Sequence, residues 1–170
     1  MEGEGGLPNE GAAEPALQLG TVLTQLDQSE AEQQATAVET ILHVSHEDPT
    51  RCLPTVPKLR SLLGSCDSRT NANIARCLEI MAKKAPNDVA PSVPAIVSFL
   101  TDSPSLETTT TLLECLEAVA EERPAIVADE LEEVDIAVIA ERVDGTTETP
   151  EQSTDALATV TERVHTLRQD

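Results

Sequence analysis

The stretch VPKLRSLL at residues 56–63 returns as VPAIVSFL at 93–100, a shift of 37. IARCLEIMAKKAP at 74–86 returns as LLECLEAVAEERP at 112–124, a shift of 38. An earlier copy, AVETILHVSHEDP at 37–49, stands at a shift of 36. Self-similarity at such a period is the signature of stacked repeats, each too small to bury its apolar face alone. Ile74, Cys77, Leu78 and Met81 map onto Leu112, Cys115, Leu116 and Val119, and onto Val38, Ile41, Leu42 and Ser45. The spacing i, i+3, i+4, i+7 puts each set on one face of a helix.

Each copy therefore reads as a first helix, a short turn, a second helix and a proline. Ser29, Ser65 and Ser103 recur just before the second helices. Ser29 with Glu32 fits a capping box, and Ser103-Pro104 fits an N-cap followed by proline at N1. Pro49, Pro86 and Pro124 mark the stop after each second helix. The pattern predicts four helical hairpins, with helices at about 14–27 and 30–46, 51–64 and 68–84, 88–101 and 104–122, and 125–143 and 151–168. A break is expected near Glu132. The repeats fall at about 13–49, 50–86, 87–124 and 125–170, forming one domain behind a disordered, acidic and Gly-rich tail at 1–12. The outer copies match less well, as expected of capping repeats.

Pro54 with Pro57, and Pro91 with Pro94, give PxxP spacing twice. A ligand for a proline-reading domain is exposed and extended, yet Ile96, Phe99 and Leu100 just beyond must be buried. The prolines read instead as the start or kink of each first helix, where a missing N–H loses no intrahelical partner.

Phe99 is the only aromatic residue, although 39% of the chain is apolar. A core of Leu, Ile, Val and Ala suits helix packing better than a sandwich or barrel. No apolar run approaches the length of a membrane span, so none is expected. The acidic, Gly-rich start does not read as a secretory signal. Cys52, Cys66, Cys77 and Cys115 lack CxxC spacing and read as reduced, intracellular thiols, Cys77 and Cys115 as small buried hydrophobes.

With its 37–38 residue period, paired helices, early proline in the first helix and V-P-x-I/L-x-x-L/F-L run, the chain resembles the HEAT-repeat family over about 150 residues. The resemblance implies an all-α, right-handed α–α superhelix of about four hairpins, with the second helices lining the concave surface. It also implies a non-enzymatic scaffold or adaptor that binds another protein. The family's usual Asp and Arg near the turn are partly present: Asp67 and Arg69 stand at one turn, but Ser105 and Glu107 replace them at the next. The 31 acids, only three Lys and abundant Thr resemble proteins of salt-loving microbes, whose carboxylate-rich surfaces stay hydrated in concentrated salt. The expected setting is the cytoplasm of such a cell.

The charge is unevenly spread. Residues 1–50 hold ten acids and no Lys or Arg, 51–88 carry a net +4, and 89–170 a net −14. At about 100° per residue, Arg69, Arg76 and Lys83 form a stripe opposite Ile74 on the exposed face of their helix. The shift of 38 turns these positions into Glu107, Glu114 and Glu121 on the next second helix. Two readings follow. One is a ladder of inter-repeat ion pairs, Arg76 with Glu114 among them, that sets repeat order. The other is a recognition groove in which Arg69, Arg76 and Lys83 meet acidic groups of a partner while Glu107, Glu114 and Glu121 orient basic ones.

Alternatives are poorer. A nucleic-acid interface on the basic island at 51–84 would set phosphates beside the Glu stripe, and stacking aromatics are absent. An enzyme or accessory subunit of an enzyme needs a constellation that the chain lacks. His46-Glu47 is a single His-Glu pair, and His43 and His46 at HxxH spacing read as a solvated helix end. His165 is isolated. No metal or cofactor is expected. The acidic stretch ADELEEVD at 128–135 reads as a solvated turn or broken helix. The thin apolar ends of a four-hairpin stack leave room for a homodimer.

Overall fold

Proline sets where the helices begin. The structure is a computed structural model that describes residues 18–102, 105–135 and 150–169, the last with side chains from 158 onward. Every described element is helical: α1 Leu19–Asp27, α2 Ala31–Glu47, α3 Pro49–Cys52, α4 Val56–Leu62, α5 Ser68–Lys84, α6 Pro86–Val89, α7 Val93–Asp102, α8 Leu106–Ala120, α9 Pro124–Glu132 and α10 Pro150–Gln169. Pro49, Pro86 and Pro124, expected as stop signals, occupy the first turn of the helix that follows. The ring's fixed φ suits that turn, whose N–H groups lack intrahelical partners in any case. The same prolines thus end one helix and start the next.

The PxxP runs bend the first helices without leaving helical space. Short 3₁₀ turns at Leu53–Thr55 and Ala90–Ser92 separate α3 from α4 and α6 from α7. Leu53 and Val56 have φ/ψ of −52°/−39° and −52°/−47°. Their prolines are exposed but helical, not the extended form that a proline-reading domain takes. Two missing N–H groups three residues apart interrupt the α-helical bonding, and the tighter 3₁₀ turn absorbs the gap. Phe99, expected to be buried, is half-buried, whereas Ile96 and Leu100 are fully buried.

The caps of the second helices differ from expectation. Asp67, not Ser65, caps α5, its Oδ1 accepting the Thr70 N–H at 2.8 Å. Ser105 caps α8, its Oγ accepting the Thr108 N–H at 3.3 Å. Ser103-Pro104 lie outside the described residues. At α2 the Ser29–Glu32 capping box does not form: the N-cap is Glu30, which makes no side-chain cap bond. Ser29 is one residue too early, and Glu30 instead accepts from Gln33 Nε2 at 2.6 Å. The helix from 124 stops at Glu132, at the expected break. The expected tail at 1–12, the rest of the helix drawn to 143 and the loop after it lie outside the described residues.

Helices contact their equivalents in the next hairpin. Among the second helices, α2 touches α5, α5 touches α8 and α8 touches α10; among the first, α1 touches α4, α4 touches α7 and α7 touches α9. The periodic positions form the seam: Val38, Ile41, Ile74, Leu78, Met81, Leu112, Leu116 and Val119 are all fully buried or nearly so. Cys77 and Cys115 are inaccessible at equivalent places in it. Burial raises the Cys52 thiol to about 11 and pushes the Cys77 and Cys115 thiols still higher. No helix of the described residues is long and apolar enough to cross a membrane.

Candidate functional site

The candidate charges stand on the outward faces of α5 and α8, and nearly all of them are paired. Arg76 binds Glu107. Lys83 binds Glu79 one turn back on its own helix and Glu114 on α8 at 3.5 Å. Arg69 turns the other way, to Glu39 on α2 at 3.2 Å. The hydrogen bond Lys83 donates to Glu79, with the charges of Glu79 and Glu114, raises the Lys83 pKa and holds it cationic. Beyond the expected set, Arg163 on α10 grips Glu117 with two bonds of 2.8 Å each, the fork geometry that gives Arg–carboxylate pairs their specificity.

The expected register is corrected. Equivalence at a shift of 38 would join Arg76 to Glu114, but the bonded residues are 31 apart, seven fewer, which is two helical turns or about 10 Å. Seven residues return to nearly the same angular position, so the outward face is kept while the height changes. The same separation of 31 joins Asp27 of α1 to Lys58 of α4, and Arg60 Nη1 to the Pro91 carbonyl at 3.2 Å. Glu39 to Arg69 is 30. The cation lies on the earlier helix in Arg76–Glu107 and on the later one in Glu39–Arg69. The offset is thus shared by surface pairs of either polarity, whereas the buried Cys77 Sγ donates to the Val38 carbonyl 39 residues back, close to the full period. The offset also explains the ends of the row. The position 31 before Glu121 is Ala90, past the end of α5, and the position 31 after Arg69 is Leu100, before α8 begins. Glu121, at the C-cap of α8, is exposed and has no ion pair among the described residues.

Arg123 and Arg168 are also engaged. Arg123 Nε donates to Asn87 Oδ1 at 2.8 Å, and Arg168 donates to the carbonyls of Leu131, Glu132 and Val134 at the end of α9. Among the described Lys and Arg residues, the side chains of Arg51 and Lys84 make no hydrogen bond or ion pair. The basic island at 51–84 is thus spent mostly on holding neighbouring hairpins. Sequence reasoning found the stripes but missed Glu39, Glu79, Glu117 and Arg163. Opposite charges 31 apart, scanned along the chain, were the available signal for Asp27–Lys58, Arg76–Glu107 and Lys83–Glu114.

Clefts open along this face. One of about 410 Å³ surrounds the Arg76–Glu107 pair between α5 and α8. Another, of about 400 Å³, lies where α8 faces α10, lined by Lys83, Glu114, Glu117, Ala118, Glu121 and Arg163. At the hairpin turns a cavity of about 230 Å³ is lined by Gly64, Phe99 and Asp102 among others. His43, His46 and His165 are exposed, and among the described residues no three His, Cys, Asp or Glu converge as a metal site. No protein-family model matches the chain, and no curated protein or solved structure gave a match.

Proposed function

We propose that the chain is a HEAT-like repeat protein, a right-handed superhelix of four hairpins, that serves as a non-enzymatic scaffold and binds another protein along the outward face of α5 and α8. The observation that carries this reading is the pair of clefts along that face, one between α5 and α8 and one where α8 faces α10. The face offers long polar side chains, prearranged by ion pairs, and shallow hollows between them. Repeat proteins bind extended partners on such surfaces. Because the cations are already paired, the residual charge presented to a partner is acidic, with Glu121 unpaired in two adjoining clefts. That favours a basic partner and disfavours nucleic acid, since phosphates would meet Glu107, Glu114 and Glu121 beside every arginine. The overall acidity and the free thiols support the cytoplasm of a salt-loving cell as its setting.

The test is capture from a native high-salt lysate, comparing wild type with the double variant Glu114→Lys, Glu121→Lys and with Asp88→Lys on a first helix. Wild type and Asp88→Lys are expected to recover the same protein and the double variant to lose it. Equal recovery by all three would remove the face from consideration.

A further inference from the structure

The cavity at the hairpin turns differs from the clefts of the α5–α8 face in holding Phe99, the only aromatic side chain of the protein. Phe99 and Asp102 are three residues apart on α7, so the ring and the carboxylate share one helix face. Gly64 stands across from them with φ +89°, a conformation that favours glycine, and a Cβ there would lie 3.3 Å from Phe99 Cδ2. Having no side chain at 64 keeps the ring edge clear. Asn71 and the hydroxyl-bearing residues Ser68, Ser105 and Thr108 complete the lining.

Asp102 is the ionisable side chain of that lining. Asp102 is exposed and has no ion pair or hydrogen bond to its side chain among the described residues. It ends α7, where the helix dipole is already negative, so the carboxylate is uncompensated. The starts of α5 and α8 form the other wall, and each carries an acid of its own. Asp67 caps α5, and its bonds from the Thr70 backbone hold the carboxyl below the usual range and therefore ionised. Glu107 sits in the first turn of α8. Ser68, Ser105 and Thr108 also line the cleft around Arg76–Glu107, so the cavity opens at the end of the proposed binding face.

We infer that this cavity takes a lysine or arginine side chain of a protein partner, its stem along the Phe99 ring and its charged head at Asp102. The inference rests on the α5–α8 face as the binding surface and names the anchor at its end. A cation is drawn both to an aromatic ring and to an unpaired carboxylate, and the long apolar stem suits the half-buried ring. An anion would face Asp102. A wholly apolar group would desolvate Asp102 without a partner.

The experiment titrates the isotope-labelled full chain with the capped peptide Gly-Arg-Gly and with its neutral citrulline counterpart, at about 0.1 M salt where screening is moderate. The arginine peptide is expected to give saturable amide shifts at Gly64, Phe99 and Asp102, and the citrulline peptide none. Asp102→Asn and Phe99→Leu are each expected to weaken the arginine peptide about two- to fivefold. Equal binding of citrulline, unchanged affinity in Asp102→Asn, or saturable shifts confined elsewhere would overturn the inference. Asp102 is exposed, so its variant tests the site without threatening the fold. Failure here together with loss of the captured partner in Glu114→Lys, Glu121→Lys removes the anchor alone. A bound peptide together with undiminished capture by that double variant removes the α5–α8 face instead.

Discussion

The second and third repeats run the same pattern through different chemistry. Their seams match: Ile74, Leu78 and Met81 against Leu112, Leu116 and Val119, all inaccessible. Their surfaces diverge. The outward face of α5 is Arg, Arg and Lys, and that of α8 is three Glu. A carboxylate caps α5 and a hydroxyl caps α8. In the kinked first helices, Thr55 Oγ1 donates to the Cys52 carbonyl at 2.6 Å, whereas the equivalent Ser92, equally buried, has a hydroxyl with no partner among the described residues. The seam is what makes a repeat stack. The surface decides which neighbour it meets and at what height.

The largest effect should come where the two repeats agree. Leu78→Ala and Leu116→Ala are each expected to cost about 2–5 kcal/mol in urea unfolding, because both empty a fully buried leucine site. Costs that differ by more than the span of that range would show that the two seams are not equivalent.

Next come the caps. Asp67→Ala should cost about 1 kcal/mol near neutral pH, and Ser105→Ala less, since its bond is longer, 3.3 Å against 2.8 Å. The pH dependence separates them further. The Asp67 carboxyl titrates below its unfolded value, chiefly because its charged form accepts the Thr70 N–H. Its contribution is therefore present above the unfolded carboxylate pKa and is lost as pH falls through the lower, folded one. The gap between wild type and Asp67→Ala should close on acidification, while the Ser105→Ala gap, arising from a hydroxyl, should not. A gap for Asp67→Ala that is constant down to strongly acid pH would exclude the carboxylate cap.

The kinks give a smaller contrast. Thr55→Val removes a satisfied buried hydroxyl and should cost about 1 kcal/mol. Ser92→Ala removes an unsatisfied one and should be neutral or stabilising. Equal losses in thermal unfolding would mean that Ser92 bonds in solution as Thr55 does.

The smallest effect is the most specific. A double-mutant cycle on Arg76 and Glu107 should give a coupling of about 0.2–1 kcal/mol that shrinks with added salt. The same cycle on Arg76 and Glu114 should give none. Coupling in the second pair and not the first would restore pairing between equivalent positions.

The sequence by itself determined the helices and the seam. The 3.6-residue period of Ile74, Cys77, Leu78 and Met81, repeated near 37, marks which face is buried, because an amphipathic helix has one way to hide its apolar side. Helix α5 was read at its observed bounds from that period and the residues around it. The cap of α8 was misplaced because Ser103 and Ser105 are chemically alike, and only the start of the helix at Leu106 chooses between them. The site was half legible. The charged stripes follow from angular position along one helix, which a sequence displays. Their partners depend on which side chains of the neighbouring helix come within reach, and no period within a single helix contains that. On the surface Arg76 and Lys83 reach carboxylates 31 residues on instead of 38, while the buried Cys77 Sγ meets the Val38 carbonyl 39 residues back, close to the full period. The same tertiary placement brought Gly64 of one turn against Phe99 of the next repeat and so made the cavity beside Asp102.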